Sequence, residues 1–521
     1  MEHSVMRKLV NCFGATKKPL LVVIAGLSVL VLGLLIAVIV LAIPKPEKTT
    51  IKDTANYCFK SHCLSAASEI LESINTSVNP CDDFYAHACG SWIKTHQIPP
   101  DEKSIGTFKK VRNLVNKRII DLLQESTTDG EHMAVKKAKT LFQSCMDLDA
   151  IEKYSKNLIM EAILTMSNQT NYVDLVNMLI SFGANTLVPA FVAPDPKNVT
   201  RNIISVTHIG LILGSKKYYN QSTSGFAAFR NLIEGFSDVL GNFTDEVINY
   251  ELKLKDIYTD FSQNVSENYN LMTIEELHNH TENQVEWLKI FQKAINNSGS
   301  HVQVDEKTQV LVYFPGYIKK LAGILNATDV KTLIRYAAAR YIIQYIDAMP
   351  SKYRKLKLNL DKELYSVKAA APREYTCAVY VRNEMSNIVS RLYVDKYFPK
   401  SAKKRAIQLV HSLREAMEKM FKETKWMDDA TRQAAIEKVE AVLYFIGYKE
   451  SIKDDSTLGM IFHDINFTTD GFLENLMSIN MLYSHYAFYH LNITNNRTIG
   501  RHLNAAVVNA FYSPSQNSIS K

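Results

Sequence analysis

From residue 20 to 43 every position is apolar or small, an unbroken run of 24 residues. At 1.5 Å per residue this covers a hydrocarbon core of roughly 30 Å, which predicts a transmembrane helix. A cleaved secretory signal would have an apolar stretch of only about 7–15 residues before a small-residue cleavage site. Further along, the pattern changes to the three-and-four spacing of amphipathic helices. Ile105, Phe108, Val111, Val115, Ile119, Leu122 and Leu123 form one stripe; Ile407, Val410, Leu413, Met417, Met420 and Phe421 form another. Both are expected to face a core. Clustered β-branched and aromatic residues predict strands over 186–192, 309–314 and 505–512. The expected organisation is a cytoplasmic tail (1–19), the span (20–43), a Lys-, Thr- and Pro-rich stalk (44–56) and an ectodomain (57–521) that is mainly α with small β elements.

With 521 residues, 46% of them hydrophobic and 10% aromatic, the chain can fill more than one core and is not a disordered polymer. The net charge of +7 is spread among interleaved acids and bases. Without a basic stripe or a zinc-finger or RNA-binding signature, no nucleic-acid partner is expected. Arg7, Lys8, Lys17 and Lys18 precede the span and Lys45, Lys48 and Lys52 follow it, so positive charge does not orient it. Glycosylation acceptors do. Asn75, Asn168, Asn198, Asn220, Asn242, Asn264, Asn279, Asn296, Asn326, Asn466, Asn492 and Asn496 each open an Asn-x-Ser/Thr, and all lie after the span. Together with cysteines that look paired, they predict a single-pass type II plasma-membrane protein with lipid as a partner and its C-terminal side outside the cell.

Three clusters carry more specific information. Pro80-Cys81-Asp82-Asp83-Phe84-Tyr85-Ala86-His87-Ala88-Cys89-Gly90-Ser91-Trp92 joins two cysteines to a buried-type aromatic pair and a Trp. Trp426-Met427-Asp428-Asp429-Ala430-Thr431-Arg432 opens a helix running on toward Ile446-Gly447-Tyr448, and Val508-Asn509-Ala510-Phe511-Tyr512-Ser513-Pro514 is the third. Smaller matches are Ser215-Lys216-Lys217-Tyr218-Tyr219 and Arg391-Leu392-Tyr393-Val394. In this order, behind an apolar anchor, they resemble the neprilysin and endothelin-converting-enzyme family of type II membrane zinc endopeptidases. The resemblance implies a two-lobed, mainly helical ectodomain around a central cavity that admits peptides. It also implies that Asn509 and Ala510 sit on an edge strand that pairs with the substrate backbone, the Asn509 side chain bonding a substrate amide.

Family chemistry needs Zn²⁺ held by two His and a Glu, a second Glu as base, and a His for the oxyanion. No His-Glu-x-x-His occurs among the fourteen histidines, and the sequence stops at Lys521, nine residues after Tyr512. The catalytic lobe is therefore expected to be incomplete, with no metal ligand, no catalytic residue and no cofactor in this chain, although complete family members hold zinc. His278 and His280, with Glu276 and Glu282, read as a solvated loop around the Asn279 acceptor. The spacing of His485 and His490 takes them off a common helical face. Where some family members carry an Arg for a substrate C-terminal carboxylate, after Ile98-Pro99, this chain has Ser104, so release of C-terminal dipeptides is not implied.

Of seven cysteines, Cys12 is expected to be free on the cytoplasmic side. Cys58 and Cys63 are near enough in sequence for a local bridge. The family resemblance pairs Cys145 with Cys377, and it bridges Cys81 and Cys89 to C-terminal cysteines that are missing here. These two are then free, paired to each other, or bonded to a second chain. The rival to a truncated peptidase is a non-catalytic surface glycoprotein that binds peptides or pairs with a full-length family partner through Cys81 or Cys89.

Overall fold

A computed structural model describes residues 58–184, 186–261, 265–498 and 504–521. The expected tail, span and stalk lie outside the described residues, as do Cys12 and Asn264. Among the described residues no helix is long and apolar enough to cross a membrane. Two compact units are distinguished, one ending at Gln97 and the other comprising Ile98–Lys521. The segment after Trp426 belongs to the second unit.

In the first unit, helices Ser61–Ser73 and Phe84–Thr95 pack together. Asp83 caps the second helix by accepting from the Ala86 amide at 2.8 Å. Segment 74–78 lies across it, held by His87 Nδ1 at 2.7 Å from the Val78 carbonyl and by Ser91 Oγ donating to the Ile74 carbonyl at 2.9 Å. Gly90 permits this approach, since a Cβ there would sit 3.0 Å from that of Asn75. The expected burial of the aromatic pair is corrected: Phe84 and Tyr85 are 71% and 68% exposed. They occupy the first turn of a helix whose inward face is taken by His87 and Ser91.

In the second unit, helix Arg373–Glu384 packs against Thr107–Gln124 and Met133–Met146, and a Cys145–Cys377 disulfide pins it to the latter. A four-stranded sheet has the order β1-β2-β4-β3, with β1 Ala190–Asp195, β2 Asn198–Val206, β3 Asn270–Thr273 and β4 Gln309–Val312. β1–β2 and β3–β4 are antiparallel; β2–β4 is parallel. Buried Asp195 closes the β1–β2 turn by accepting from the Lys197 amide, the Arg201 guanidinium and the Tyr269 hydroxyl at 2.7–3.0 Å. The strand expected at 186–192 starts four residues later, because local turns hold Thr186 and Ala190 to the carbonyls of Ala184 and Val188.

Glu251 is a fully enclosed carboxylate on helix Thr244–Ile257. It accepts from the Tyr336 hydroxyl at 2.6 Å, the Ile212 amide at 2.7 Å and the Tyr219 hydroxyl, with Arg340 3.8 Å away. Tyr219, the last residue of one of the smaller family matches, is thus a core residue.

The two predicted stripes behave differently. On helix Thr107–Gln124, Val115, Ile119, Leu122 and Leu123 are buried, whereas Phe108 and Val111 are exposed. On helix Lys400–Glu423 only Val410 is buried; Leu409, Leu413, Met417 and Met420 are 45–61% exposed. This corrects the expectation of a core-facing stripe. The helix packs on the following helix, Asp429–Glu440, and the far side of its apolar face has no covering element among the described residues. Periodicity reports that a helix is amphipathic, not that its partner is in place.

Candidate functional site

The Trp426 cluster is a helix start. Asp428 caps helix Asp429–Glu440 by accepting from the Thr431 amide and hydroxyl, both at 2.8 Å, and Arg432 donates back to the Thr424 and Met427 carbonyls. Trp426 itself is 81% exposed. The helix delivers β5, Leu443–Phe445, into a three-stranded sheet of order β5-β7-β6, with β6 Phe511–Ser513 and β7 Ser518–Ser520. β5 pairs with β7 in parallel and β6 with β7 antiparallel. Gly447, at φ 73°, ends β5; a Cβ there would meet the Phe398 ring at 2.8 Å.

This leaves β6 with one paired edge and one open edge among the described residues. Asn509 and Ala510 are both exposed and lead into it. The strand is shorter than the expected 505–512, opening only at Phe511. The Asn509 side chain accepts from the Ala510 amide at 2.8 Å, and β7 offers only three partner residues. The turn is fixed by Tyr512, whose hydroxyl donates to Asn517 Oδ1 at 2.9 Å, and by Asn517 Nδ2 donating to the Lys438 carbonyl at 2.8 Å.

What anchors the segment upstream escaped the sequence reading. Asn504 Nδ2 donates to the Arg382 carbonyl at 3.1 Å, and Ser390 Oγ accepts from the Ala505 amide at 3.0 Å. Ala506 is fully buried. These contacts cross more than a hundred residues, so no local signal exposes them.

The histidine candidates are drawn to backbone carbonyls rather than to one another. His278 and His280 lie on helix Ile274–His280, which opens with a Thr273–Glu276 capping box, and not in a solvated loop. His278 Nδ1 is 3.0 Å from the Val285 carbonyl, His280 Nε2 2.9 Å from that of Pro315, and His485 Nδ1 3.0 Å from that of Asn297. Glu282 pairs with Lys319 at 2.9 Å. His490 follows helix Phe472–Tyr489 at its C-terminal end. The loop carrying Ser104 borders a cavity of about 450 Å³ whose lining includes Asp101, Glu102, Asp121 and Glu374 against Lys117, the opposite polarity from a carboxylate-binding arginine.

Cys58 and Cys63 are bridged, as are Cys145 and Cys377. Cys81 is exposed and Cys89 half-buried, and neither is bridged. Of the acceptors within the described residues, Asn168, Asn198, Asn220, Asn242, Asn279, Asn296, Asn326, Asn466, Asn492 and Asn496 are exposed, and Asn75 is half-buried.

The mainly helical frame with its small terminal sheet is that of a zinc-metalloprotease fold. It superposes on zinc metalloprotease ZMP1 of Mycobacterium tuberculosis with TM-score 0.74 at 22% identity, covering 86% of this chain and 68% of that one. PepO from Lactobacillus rhamnosis gives 0.72 at 16%, covering 85% and 71%; at such identities these matches speak for the fold alone. In sequence, the model of peptidase family M13 matches residues 80–449, and the chain belongs to that family. Similar proteins include Neprilysin-1 of Trittame loki, 26% identical over 92% of this chain and 70% of the relative. Endothelin-converting enzyme 1 of Homo sapiens is 26% identical over 89% and 62%. The chain spans 60–70% of the length of the curated relatives it matches.

Proposed function

We propose that this chain is a type II plasma-membrane glycoprotein that holds extracellular peptides in the manner of an M13 zinc endopeptidase, and that residues 1–521 contain no catalytic zinc centre and do not cleave what they bind. The observation that carries the reading is the open edge of β6, with exposed Asn509 and Ala510 leading into it. A peptide laid along that edge bonds through its main chain, and the Asn509 side chain reaches a substrate amide. Ligand chemistry supports the second half. A catalytic zinc needs three protein ligands and an open water position, whereas His278, His280 and His485 each hold a carbonyl in a different place. These residues do not fit a catalytic zinc.

The test is a secreted ectodomain of residues 52–521, assayed under oxidising conditions for metal and for cleavage of a quenched fluorescent peptide. The expected result is less than one zinc per chain, no turnover, and peptide binding that Asn509→Ala weakens about fivefold, the worth of one net hydrogen bond of about 1 kcal/mol. Stoichiometric zinc with chelator-sensitive turnover would overturn the non-catalytic part. Binding indifferent to Asn509→Ala would remove the strand from the account.

Topology has its own check. Enzymatic removal of N-glycans is expected to lower the apparent mass of cell-expressed protein, and protease outside intact cells should digest it beyond residue 44. An unchanged mass together with full protection would refute the orientation.

The unbridged, exposed Cys81 favours a second reading, in which the chain joins another chain through a disulfide. A dimer-sized band on a non-reducing gel that disappears in Cys81→Ser is the expected outcome under that reading. A monomer band alone would dismiss it.

A further inference from the structure

We propose that the turn holding Cys58, His62 and Cys63 is a redox-gated site for a zinc-class divalent cation: closed as a disulfide, open as a dithiolate–imidazole site. The ligand atoms of these three side chains lie within 4.8 Å of one another, the one such group of His, Cys, Asp or Glu among the described residues. Two of them are joined as the Cys58–Cys63 bridge. Cys58 and His62 are exposed and Cys63 is half-buried, so both a reductant and a metal have access. Zn²⁺ takes thiolate at about 2.3 Å and imidazole at about 2.0–2.1 Å, and the 5.8 Å separation of the two Cα atoms leaves the backbone little to rearrange. Thiolate and imidazole together select zinc-class cations over Mg²⁺ or Ca²⁺.

Local electrostatics favour the reduced form as a ligand. Helix Ser61–Ser73 begins at this turn, and its N-cap, Lys60, supplies no side-chain acceptor. Cys63 sits in the first turn, where the helix dipole stabilises a thiolate. Opening consumes one external dithiol. Two electrons break the Cys58–Cys63 bond, the reductant closes its own disulfide, and its two protons pass to the new thiols; the cation then displaces both protons. The Cys145–Cys377 bridge is fully buried, so mild dithiol treatment is expected to discriminate between them. The proposal does not depend on the peptide-holding reading.

The experiment uses the full ectodomain in a Cys81→Ser/Cys89→Ser background, with Zn²⁺ and the spectroscopic probe Co²⁺. After dithiol treatment, alkylation and mass spectrometry should show Cys58 and Cys63 reduced and Cys145 and Cys377 still bridged. The reduced protein should take up one more equivalent of Zn²⁺ than the oxidised protein and give thiolate-to-cobalt charge-transfer absorption. Cys58→Ser should abolish that absorption, and His62→Ala should weaken binding about tenfold or more. A bridge that resists dithiol as long as Cys145–Cys377 does would overturn the proposal. So would reduced Cys58 and Cys63 that gain no metal, or affinity unchanged in His62→Ala.

Discussion

Replacing Glu251 by alanine is expected to destabilise the second unit by about 3–5 kcal/mol, the range for removing one partner from a buried charged network. The carboxylate is fully enclosed and accepts from Tyr219, Tyr336 and the Ile212 amide, with Arg340 beside it. Alanine leaves two phenols and an amide without an acceptor and a guanidinium without its counter-charge, besides creating a cavity. Glu251→Gln, which keeps the volume and one acceptor oxygen, should lose less. Denaturant unfolding followed through the buried Trp287 measures the difference. A cost for Glu251→Ala near 1 kcal/mol would mean that water or a neighbouring group replaces the carboxylate.

Removal of the Cys145–Cys377 bridge as Cys145→Ala/Cys377→Ala is expected to cost about 5 kcal/mol on the chain-entropy account. The bridge closes a loop of 232 positions and ties helix Met133–Met146 to helix Arg373–Glu384 inside the core. The backbone junction keeps a second tether, Arg373 Nε donating to the Cys145 carbonyl at 2.8 Å, so the native arrangement should persist while its unfolded alternative gains freedom. Denaturation midpoints of the two proteins decide the matter. Midpoints that coincide would show the bridge to be strained or the unfolded chain to be compact.

The long helices were legible because their period was. Val115, Ile119, Leu122 and Leu123 are buried as the spacing requires, and β4 begins at Gln309 as expected. β2 was missed because its first half, Asn198 to Asn202, is polar and largely solvent-facing, so it lacks the alternation of a half-buried strand. The exposed stripe on helix Lys400–Glu423 was misread for the converse reason: sequence shows an apolar face but not whether anything lies on it. At the candidate site, Asn509 and Ala510 were found through the family motif alone. Their support from Ser390 and Asn504 depends on tertiary contacts that no window along the chain contains. The His278–His280 segment, expected as a solvated loop, is instead held in a helix by the Thr273–Glu276 capping box and by a carbonyl partner for each imidazole.

The apolar face that helix Lys400–Glu423 leaves uncovered among the described residues bears on how cells would handle this polypeptide. Between Asn326 and Asn466 the sequence offers no glycan acceptor, so the stretch presenting Leu409, Leu413, Met417, Met420 and Trp426 has no carbohydrate of its own to screen it. Exposed apolar surface of this kind is an interaction site or an aggregation liability. Under the proposed type II topology, association through this face, rather than weak core packing, would limit how much of this chain is exported. Polar substitutions at Leu413 and Met417, both exposed, should raise export without changing the unfolding midpoint.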